Sequence, residues 1–161
     1  MKPLSDLSLK EVIQKLEYFC SYQERCHYEV ENKLFGFQLS QTEKDTVIVH
    51  LIDHNYLNEE RFALLFVKSK LNQKQWGKVR ITLELKARKI SSFLVNKALK
   101  TIDLEVYYTV FESLSERFWY SILEKNKLKK QKKFCDYLLR KGWESSLVYE
   151  KYSELAGKTG F

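Results

Sequence analysis

The chain has 161 residues, 44% of them hydrophobic and 14% aromatic, enough apolar side chain to offset the entropy lost on folding and to exclude a largely disordered protein. A single proline and five glycines disfavour a fold of many short strands. The three cysteines lack the spacing of a disulfide framework and the N-terminus is polar, which predicts a cytoplasmic protein with reduced thiols. Because no apolar run approaches the about 20 residues needed to cross a bilayer, we predict no membrane partner.

Helix signals begin at the N-terminus. The first helix is predicted by apolar residues three and four positions apart: Leu9, Val12, Ile13, Leu16, Phe19 and Cys20. A serine followed three residues later by a glutamate forms a capping box, and this pattern occurs at Ser8 with Glu11 and again at Ser40 with Glu43. Asn58 marks a further helix start, because asparagine caps helices and two acids follow it.

Three stretches share one apolar pattern, which indicates an internal repeat. They are Val30, Leu34, Leu39, Val47 and Leu51; then Ile81, Leu85, Ile90, Ala98 and Ile102; then Phe134, Leu138, Trp143, Lys151 and Leu155. Each copy predicts two helices joined by a tight turn, behind a further amphipathic helix. We therefore predict an all-α fold, a tandem array of three three-helix repeats forming an elongated, curved stack. Lys151 interrupts the pattern, as expected for an end unit that faces water.

The repeat pattern divides the chain into five segments. The predicted segments are an N-terminal tail at residues 1–8, repeats at residues 9–57, 58–103 and 104–156, and a C-terminal tail at residues 157–161. The joints between helices are short, so neighbouring repeats should stack on one another.

The net charge of +7 is concentrated in the middle of the chain. Residues 61–100 contain 11 Lys and Arg side chains and a single acid, Glu84, whereas acids outnumber bases in residues 1–60. A block of this kind produces a positive field that attracts polyanions or acidic protein surfaces. We expect the partner to bind there.

Two motifs near the second repeat resemble those of a known family. Residues 56–63 read Tyr-Leu-Asn-Glu-Glu-Arg-Phe-Ala, and Gly-Lys-Val-Arg-Ile at 77–81 is followed by Glu84-Leu85. The pair resembles the RecX family, regulators of the RecA recombinase, whose pattern is a Gly-Tyr-Leu-Asp-Asp-like turn, Arg-Phe-Ala and then Gly-x-x-Arg-Ile-x-x-Glu-Leu. The similarity covers roughly residues 10–156, as in a tandem helical array.

The chain departs from the family pattern at its turns. Cys26 stands where the family often has serine, and Gln38 and Lys89 stand where it favours glycine, which only Gly142 retains. Helix ends prefer a residue that tolerates the left-handed region, so we expect Gln38 and Lys89 to lower the stability of their turns.

The resemblance implies a regulatory function. Proteins of this family bind the RecA filament on single-stranded DNA, lie along its groove and suppress filament growth, ATP hydrolysis and strand exchange, without being enzymes. For this chain the resemblance implies RecA filament and its single-stranded DNA as partners, and we expect a monomer with no cofactor. Phosphate-loop, nucleophile-elbow and metalloprotease motifs are absent from the sequence, which agrees with a protein that is not an enzyme.

Two groups of cations are the predicted binding residues. The central basic band comprises Lys68, Lys70, Lys74, Lys78, Arg80, Lys86, Arg88 and Lys89, and the second group comprises Lys127, Lys129 and Lys130. The scarcity of acids favours binding over a merely solvated face for the band, which should follow one side of the stack; for Arg80 a structural role competes. The second group belongs to a lysine run that is interpreted as a hydrated connector able to reach DNA. Helical spacing predicts that the nearby Phe118 and Trp119 pack in the core.

Other candidate residues favour structural roles. His50 and His54 supply only half of a ligand set, so we predict no metal site. Arg61 is expected to hold units together by reaching a helix C-terminus or a carboxylate, and Cys20 and Cys135 are expected to be core thiols.

Two other functions remain open from the sequence. The first is a direct DNA-binding protein such as a transcription regulator, which would bind duplex DNA with sequence selectivity. The second is a helical-repeat scaffold for other proteins, whose association would tolerate salt because it depends on apolar surface.

Overall fold

The computed structural model describes residues 2–161. In this range a 3₁₀ turn at Leu4–Asp6 precedes nine α-helices, and there is no strand. The helices are α1 (Leu9–Tyr22), α2 (His27–Leu34), α3 (Gln41–Asp53), α4 (Glu59–Lys74), α5 (Lys78–Ala87), α6 (Ser92–Leu99), α7 (Leu104–Ser121), α8 (Lys127–Arg140) and α9 (Ser145–Thr159). Among the residues described, none of these helices combines the length and apolar character that crossing a bilayer requires.

The helices begin where the sequence predicts capping. The Ser8 hydroxyl accepts the backbone N–H of Glu11 ahead of α1, and the Glu11 carboxylate accepts the backbone N–H of Ser8 in return. Ser40 and Glu43 repeat this reciprocal arrangement ahead of α3. Asn58 caps α4 through its side-chain oxygen. Each cap satisfies N–H groups that have no partner within the helix, so these starts are determined locally.

Contacts between helices define three units. We call α1–α3 unit 1, α4–α6 unit 2 and α7–α9 unit 3. In each unit the third helix packs on both of the others, and α4 of unit 2 also packs on α7 of unit 3. The prediction of an all-α tandem array of three-helix units is therefore confirmed.

The interior is divided into two hydrophobic cores. One lies within unit 1 and includes Leu16 and Leu51. The other is continuous through units 2 and 3 and includes Ile81 and Trp119, and Cys26 of unit 1 reaches into it. Units 2 and 3 are consequently joined by shared apolar burial, whereas unit 1 contacts unit 2 through ion pairs and hydrogen bonds as well as through Cys26 and Tyr28.

The array is elongated. Its accessible surface is 10000 Å², whereas a compact protein of 19.3 kDa exposes about 8,500 Å². The excess surface is what a row of small units produces, because each unit buries surface mainly against its neighbours.

Lys151 differs from the sequence prediction. Its side chain is 2% exposed, and its ammonium group donates hydrogen bonds to Glu112 and Glu116 of α7 and to Glu154 of α9. The expectation that it faces water was wrong, because α7 places a pair of carboxylates over this position. Three half-exposed acids allow a cation to occupy a core position of the repeat.

The C-terminal segment is also part of the fold. Helix α9 continues to Thr159, and the Phe161 ring lies against Trp119 with centroids 5.8 Å apart. Residues 157–161 therefore do not form the predicted tail, since the aromatic terminal residue finds an apolar site on unit 3.

The two turns predicted to be strained behave differently. Lys89 has φ 58° and occupies the left-handed region, as does Gly142 at φ 90° in the corresponding turn of unit 3. Gln38 has a negative φ, so the predicted strain is absent there. At the third departure, the backbone N–H of Cys26 donates to the Glu29 carboxylate at 3.2 Å, as in a capping box.

Candidate nucleic-acid and filament interface

The basic band lies entirely on unit 2 and the turn that follows α5. Four of its members are exposed and, in the described part of the chain, have no acidic side chain within ion-pair distance: Lys68, Lys74, Lys86 and Lys89. All four can present their ammonium groups to an approaching partner, although that of Lys89 lies 5.3 Å from the ring centre of Tyr28.

Two lysines of the band lie partly buried on aromatic rings. The Lys70 ammonium is 5.2 Å from the Phe66 ring centre and 5.3 Å from that of Trp76. The Lys78 ammonium is 4.8 Å from the ring centre of Tyr107. Such cation–π contacts hold the stem in place and leave N–H donors available, so both lysines remain candidate ligands.

The two arginines of the band are engaged within the fold. Arg88 lies 2.9 Å from the carboxylate of Glu84 and 3.7 Å from that of Glu29 in unit 1. Arg80 donates to the Arg140 carbonyl oxygen at 3.2 Å and stacks over Trp76. The structural role considered for Arg80 is thus present, and Arg88, predicted as a binding residue, is used at the junction of units 1 and 2.

A close backbone contact joins the band to unit 3. The Gly77 N–H donates to the Lys141 carbonyl at 2.9 Å, and the Val79 N–H donates to that of Gly142 at 3.0 Å. A Cβ atom on Gly142 would lie 2.2 Å from Cβ of Arg80. The start of α5 can approach the end of α8 so closely only because both contacting residues, Gly77 and Gly142, are glycines.

Two further cations reach the band from unit 3. Lys141 donates to the Lys74 carbonyl at 2.8 Å, and Arg117 donates to the Gln75 side chain at 3.0 Å. Burial, followed by the positive charges of Arg80, Arg117 and Lys74, lowers the pKa of Lys141. Sequence reasoning did not assign Lys141 and Arg117 to the band, because they lie far from it along the chain. The repeat register gives a signal for Lys141 alone, because it places Lys141 where unit 2 has Arg88.

Comparison with known proteins identifies the central unit. Residues 58–99, which comprise α4–α6 with the Asn58 cap, match the family model described as RecX, second three-helix domain. Proteins named regulatory protein RecX are similar over more of the chain: 33% identity over 93 residues for Lactobacillus gasseri, and 27% over 146 residues for Bacillus cytotoxicus. The chain is therefore similar to RecX proteins, and its central unit matches their family model.

The two relatives are longer than this chain. The matched region is 58% of this chain and 34% of the Lactobacillus gasseri RecX, and 91% and 54% for the Bacillus cytotoxicus RecX. The chain thus spans about half the length of the Bacillus protein.

Solved RecX structures share the fold. One RecX crystal structure superposes with a TM-score of 0.79 at 19% identity, over 91% of this chain and 73% of that one. RecX from Lactobacillus salivarius gives a TM-score of 0.74 at 22% identity, over 90% of this chain and 96% of that one. At these identities the likeness establishes the three-unit RecX fold alone.

The second cation group differs from the prediction. Helix α8 begins at Lys127, so most of the lysine run is helical and not a connector. Lys127 and Lys129 are exposed, but Lys130 is 8% exposed, with its ammonium 4.1 Å from the Trp119 ring centre and 4.6 Å from that of Phe161. Lys130 is therefore less accessible to a partner than the sequence suggests, because this face of α8 packs within unit 3.

The aromatic residues beside that group pack as predicted. Trp119 is completely buried, and the Phe118 ring stacks on Tyr137 with centroids 3.8 Å apart. Neither ring is presented to the bases of a nucleic acid.

The histidines have structural partners in this RecX fold. His50 Nε2 lies 2.7 Å from the Glu17 carboxylate, and the His50 and His54 rings stack with centroids 4.0 Å apart. Across residues 2–161 no group of three His, Cys, Asp or Glu side chains could hold a metal ion.

All three cysteines are buried and unpaired with one another. Burial raises the pKa of Cys20 and of Cys26 to about 11. At neutral pH both are therefore thiols, which are poor nucleophiles and poor metal ligands, and the interpretation of Cys20 and Cys135 as core residues agrees with their burial.

Proposed function

We propose that this chain binds the RecA filament on single-stranded DNA and inhibits filament growth, ATP hydrolysis and strand exchange. The observation that carries the proposal is the set of exposed lysines of unit 2 without acidic partners, within the segment that matches the RecX model. RecA as the partner comes from the RecX resemblance, and the role of the lysines comes from their charge.

The shape and charge of the array suit such a partner. A filament groove offers a repeated protein surface lined by nucleic-acid phosphate, and an elongated row of helical units can follow it. Lysines that neutralise phosphates release condensed counterions, so binding should weaken as salt rises. In this proposal the chain acts as a cytoplasmic monomer that occupies the filament and does not catalyse a reaction.

An ATPase assay tests the proposal. RecA from the same source is incubated with single-stranded DNA and ATP, and the purified chain is added in increasing amounts. We expect ATP hydrolysis to fall, and the inhibition to weaken with added salt. Unchanged hydrolysis at several-fold excess over RecA would contradict the proposal, and sequence-selective duplex binding in its place would support a DNA-binding regulator.

A matched pair of variants tests the lysines. Lys68→Glu with Lys86→Glu reverses two charges of the band, and Lys10→Glu with Lys15→Glu reverses two exposed charges of α1. We expect the first variant to need a much higher concentration for inhibition and the second to resemble the unaltered chain. Equal inhibition by both folded variants would show that the band does not contact the filament.

A further inference from the structure

The two junctions between units differ in charge at equivalent positions. The repeat offsets of 51 and 53 residues pair Glu29 with Arg80 and Arg88 with Lys141. At the first junction Glu29 and Arg88 are oppositely charged and lie 3.7 Å apart. At the second junction both positions carry a cation, Arg80 and Lys141. The architecture that forms an ion pair between units 1 and 2 thus brings like charges together between units 2 and 3.

The cations at the second junction are anchored on one short segment, residues 74–76. Lys141 donates to the backbone oxygen of Lys74, Arg117 donates to the side chain of Gln75, and the Arg80 guanidinium lies 4.1 Å from the ring centre of Trp76. Each anchor uses one donor or one face of the cation. The remaining N–H donors of Arg117 and Lys141, and the whole ammonium group of Lys74, have no hydrogen-bond or ion-pair partner among the described residues, although the Lys141 ammonium also lies 5.7 Å from the Tyr137 ring centre.

The negative ends of two helices compensate only part of this positive charge. Lys141 caps the C-terminus of α4 and Arg80 bonds the last residue of α8, and each helix end carries about half a negative charge. Glu84 lies 3.9 Å from Arg80, but it bonds Arg88 more closely, at 2.9 Å. Four formal positive charges therefore face about one negative charge from the two helix ends and the Glu84 carboxylate, which Arg80 shares with Arg88.

We propose that the junction of units 2 and 3 binds a phosphate group through Lys74, Arg80, Arg117 and Lys141. Guanidinium groups bind oxyanions with two parallel hydrogen bonds, and ammonium groups add point charges. A phosphate has enough oxygens to accept donors from several directions, whereas a single carboxylate has two. The site takes the phosphate of a nucleic-acid backbone or of a free anion, and the assignment to filament DNA rests on the proposed function.

Binding should brace the two units against each other. The four cations come from α4, α5, α7 and the turn after α8, so one anion would link helices of both units and relieve the repulsion between them. A ligand that binds only this folded arrangement raises the melting temperature. This readout does not depend on RecA.

Thermal unfolding of the full chain tests the site. Melting is followed with pyrophosphate or inorganic phosphate, and with sodium chloride at matched ionic strength. We expect pyrophosphate to raise the melting temperature by several degrees more than chloride. The variant Lys74→Gln with Arg117→Gln should lose this rise, because both side chains are exposed and can change without disturbing the core. The control Lys10→Gln with Lys15→Gln removes the same charge from α1 and should keep the rise.

Binding of labelled oligothymidylate, measured by fluorescence anisotropy, distinguishes the sources of phosphate. Affinity for the oligonucleotide should fall about tenfold or more in Lys74→Gln with Arg117→Gln, and not in the α1 control, if the site holds the DNA backbone. If pyrophosphate stabilises the unaltered chain but the variant Lys74→Gln with Arg117→Gln binds the oligonucleotide as tightly as that chain does, the site is supported and its ligand is a free anion. Equal stabilisation of both variants, or none of the unaltered chain, would overturn the proposal.

The RecA assay separates this inference from the proposed function. If the chain inhibits RecA but pyrophosphate does not stabilise it, the proposed function is supported and the phosphate site is contradicted. If pyrophosphate stabilises the chain but the chain does not inhibit RecA, the phosphate site is supported and the proposed function is contradicted.

Discussion

Arg61 of α4 bonds Glu24, just beyond α1, with 2.9 Å between Nε and the carboxylate oxygen. The same guanidinium donates to the side chain of Asn55 and to the carbonyl oxygens of Asn55 and Tyr56, beyond the end of α3. One side chain thus links the ends of two helices of unit 1 to the first helix of unit 2. The expectation that Arg61 holds units together by reaching a helix C-terminus or a carboxylate is confirmed by these contacts.

We predict that Arg61→Ala lowers the free energy of unfolding by about 1–2 kcal/mol, since the lost bonds are charge-assisted but partly exposed to solvent. Urea denaturation of the two proteins measures the change. Arg61→Lys keeps the charge and loses the planar set of donors, so it should recover only part of the loss. An Arg61→Ala protein as stable as the unaltered chain would show that unit 1 is held by other contacts.

Gly142→Ala should be strongly destabilising. The new Cβ would meet the backbone and Cβ of Arg80 at 2.2–2.8 Å, and the residue has φ 90°, so we expect a loss of about 2 kcal/mol or more. Gly157→Ala is the matched control, because it lies within α9 with nothing within 4 Å of its added Cβ. It should stabilise the protein by about 0.5–1 kcal/mol. Comparable urea midpoints for the two variants would contradict the close contact at the junction.

Lys89→Gly should stabilise the turn after α5. Lys89 has φ 58°, a conformation that is unfavourable for residues with a Cβ, and we expect a gain of about 0.5–1 kcal/mol. Gln38→Gly serves as the comparison, because Gln38 has a negative φ and glycine there only adds freedom to the unfolded chain. The melting temperature should rise for Lys89→Gly and fall for Gln38→Gly, relative to the unaltered chain. A change in the same direction for both variants would contradict the role of the left-handed backbone at Lys89.

The protein should lose stability in acid. Hydrogen bonds from the Ser8 backbone and from Lys2 lower the pKa of Glu11 to about 2, and bonds from Lys158 and Lys151 lower the pKa of Glu154. A carboxyl group with a lowered folded pKa stabilises the protein above its unfolded pKa, about 4.3, and this contribution disappears as pH falls through the folded pKa. The melting temperature should therefore fall most steeply between about pH 4 and pH 2.

One variant pair checks the origin of the acid effect. Glu11→Gln should flatten the fall in melting temperature between neutral pH and the acid range, because it removes the titrating group at the Ser8 cap. Glu31→Gln alters an exposed acid whose carboxylate makes no hydrogen bond within residues 2–161, and it should leave the curve unchanged. Identical curves for the two variants would assign the acid sensitivity to other groups.

Much of the helical pattern could be predicted because its causes are local. The boxes at Ser8 and Ser40 and the cap at Asn58 depend on residues three positions away, and apolar periodicity selects the buried face of each helix. The repeat pattern then identified Val30 and Ile81 as equivalent core positions, and both are completely buried. The candidate site was less predictable, since the exposure of a lysine depends on which helix lies beside it.

Composition, capping and periodicity in the sequence were sufficient to establish an all-helical array of three units with a basic centre, because each acts over one or two helical turns. The tertiary structure alone decided which cations are available to a partner. It buries Lys130 on Trp119, pairs Lys151 with acids of a distant helix and draws Lys141 and Arg117 to the end of α4. The physical reason is that burial and charge pairing are set by which helices pack together, and that information lies between residues far apart along the chain.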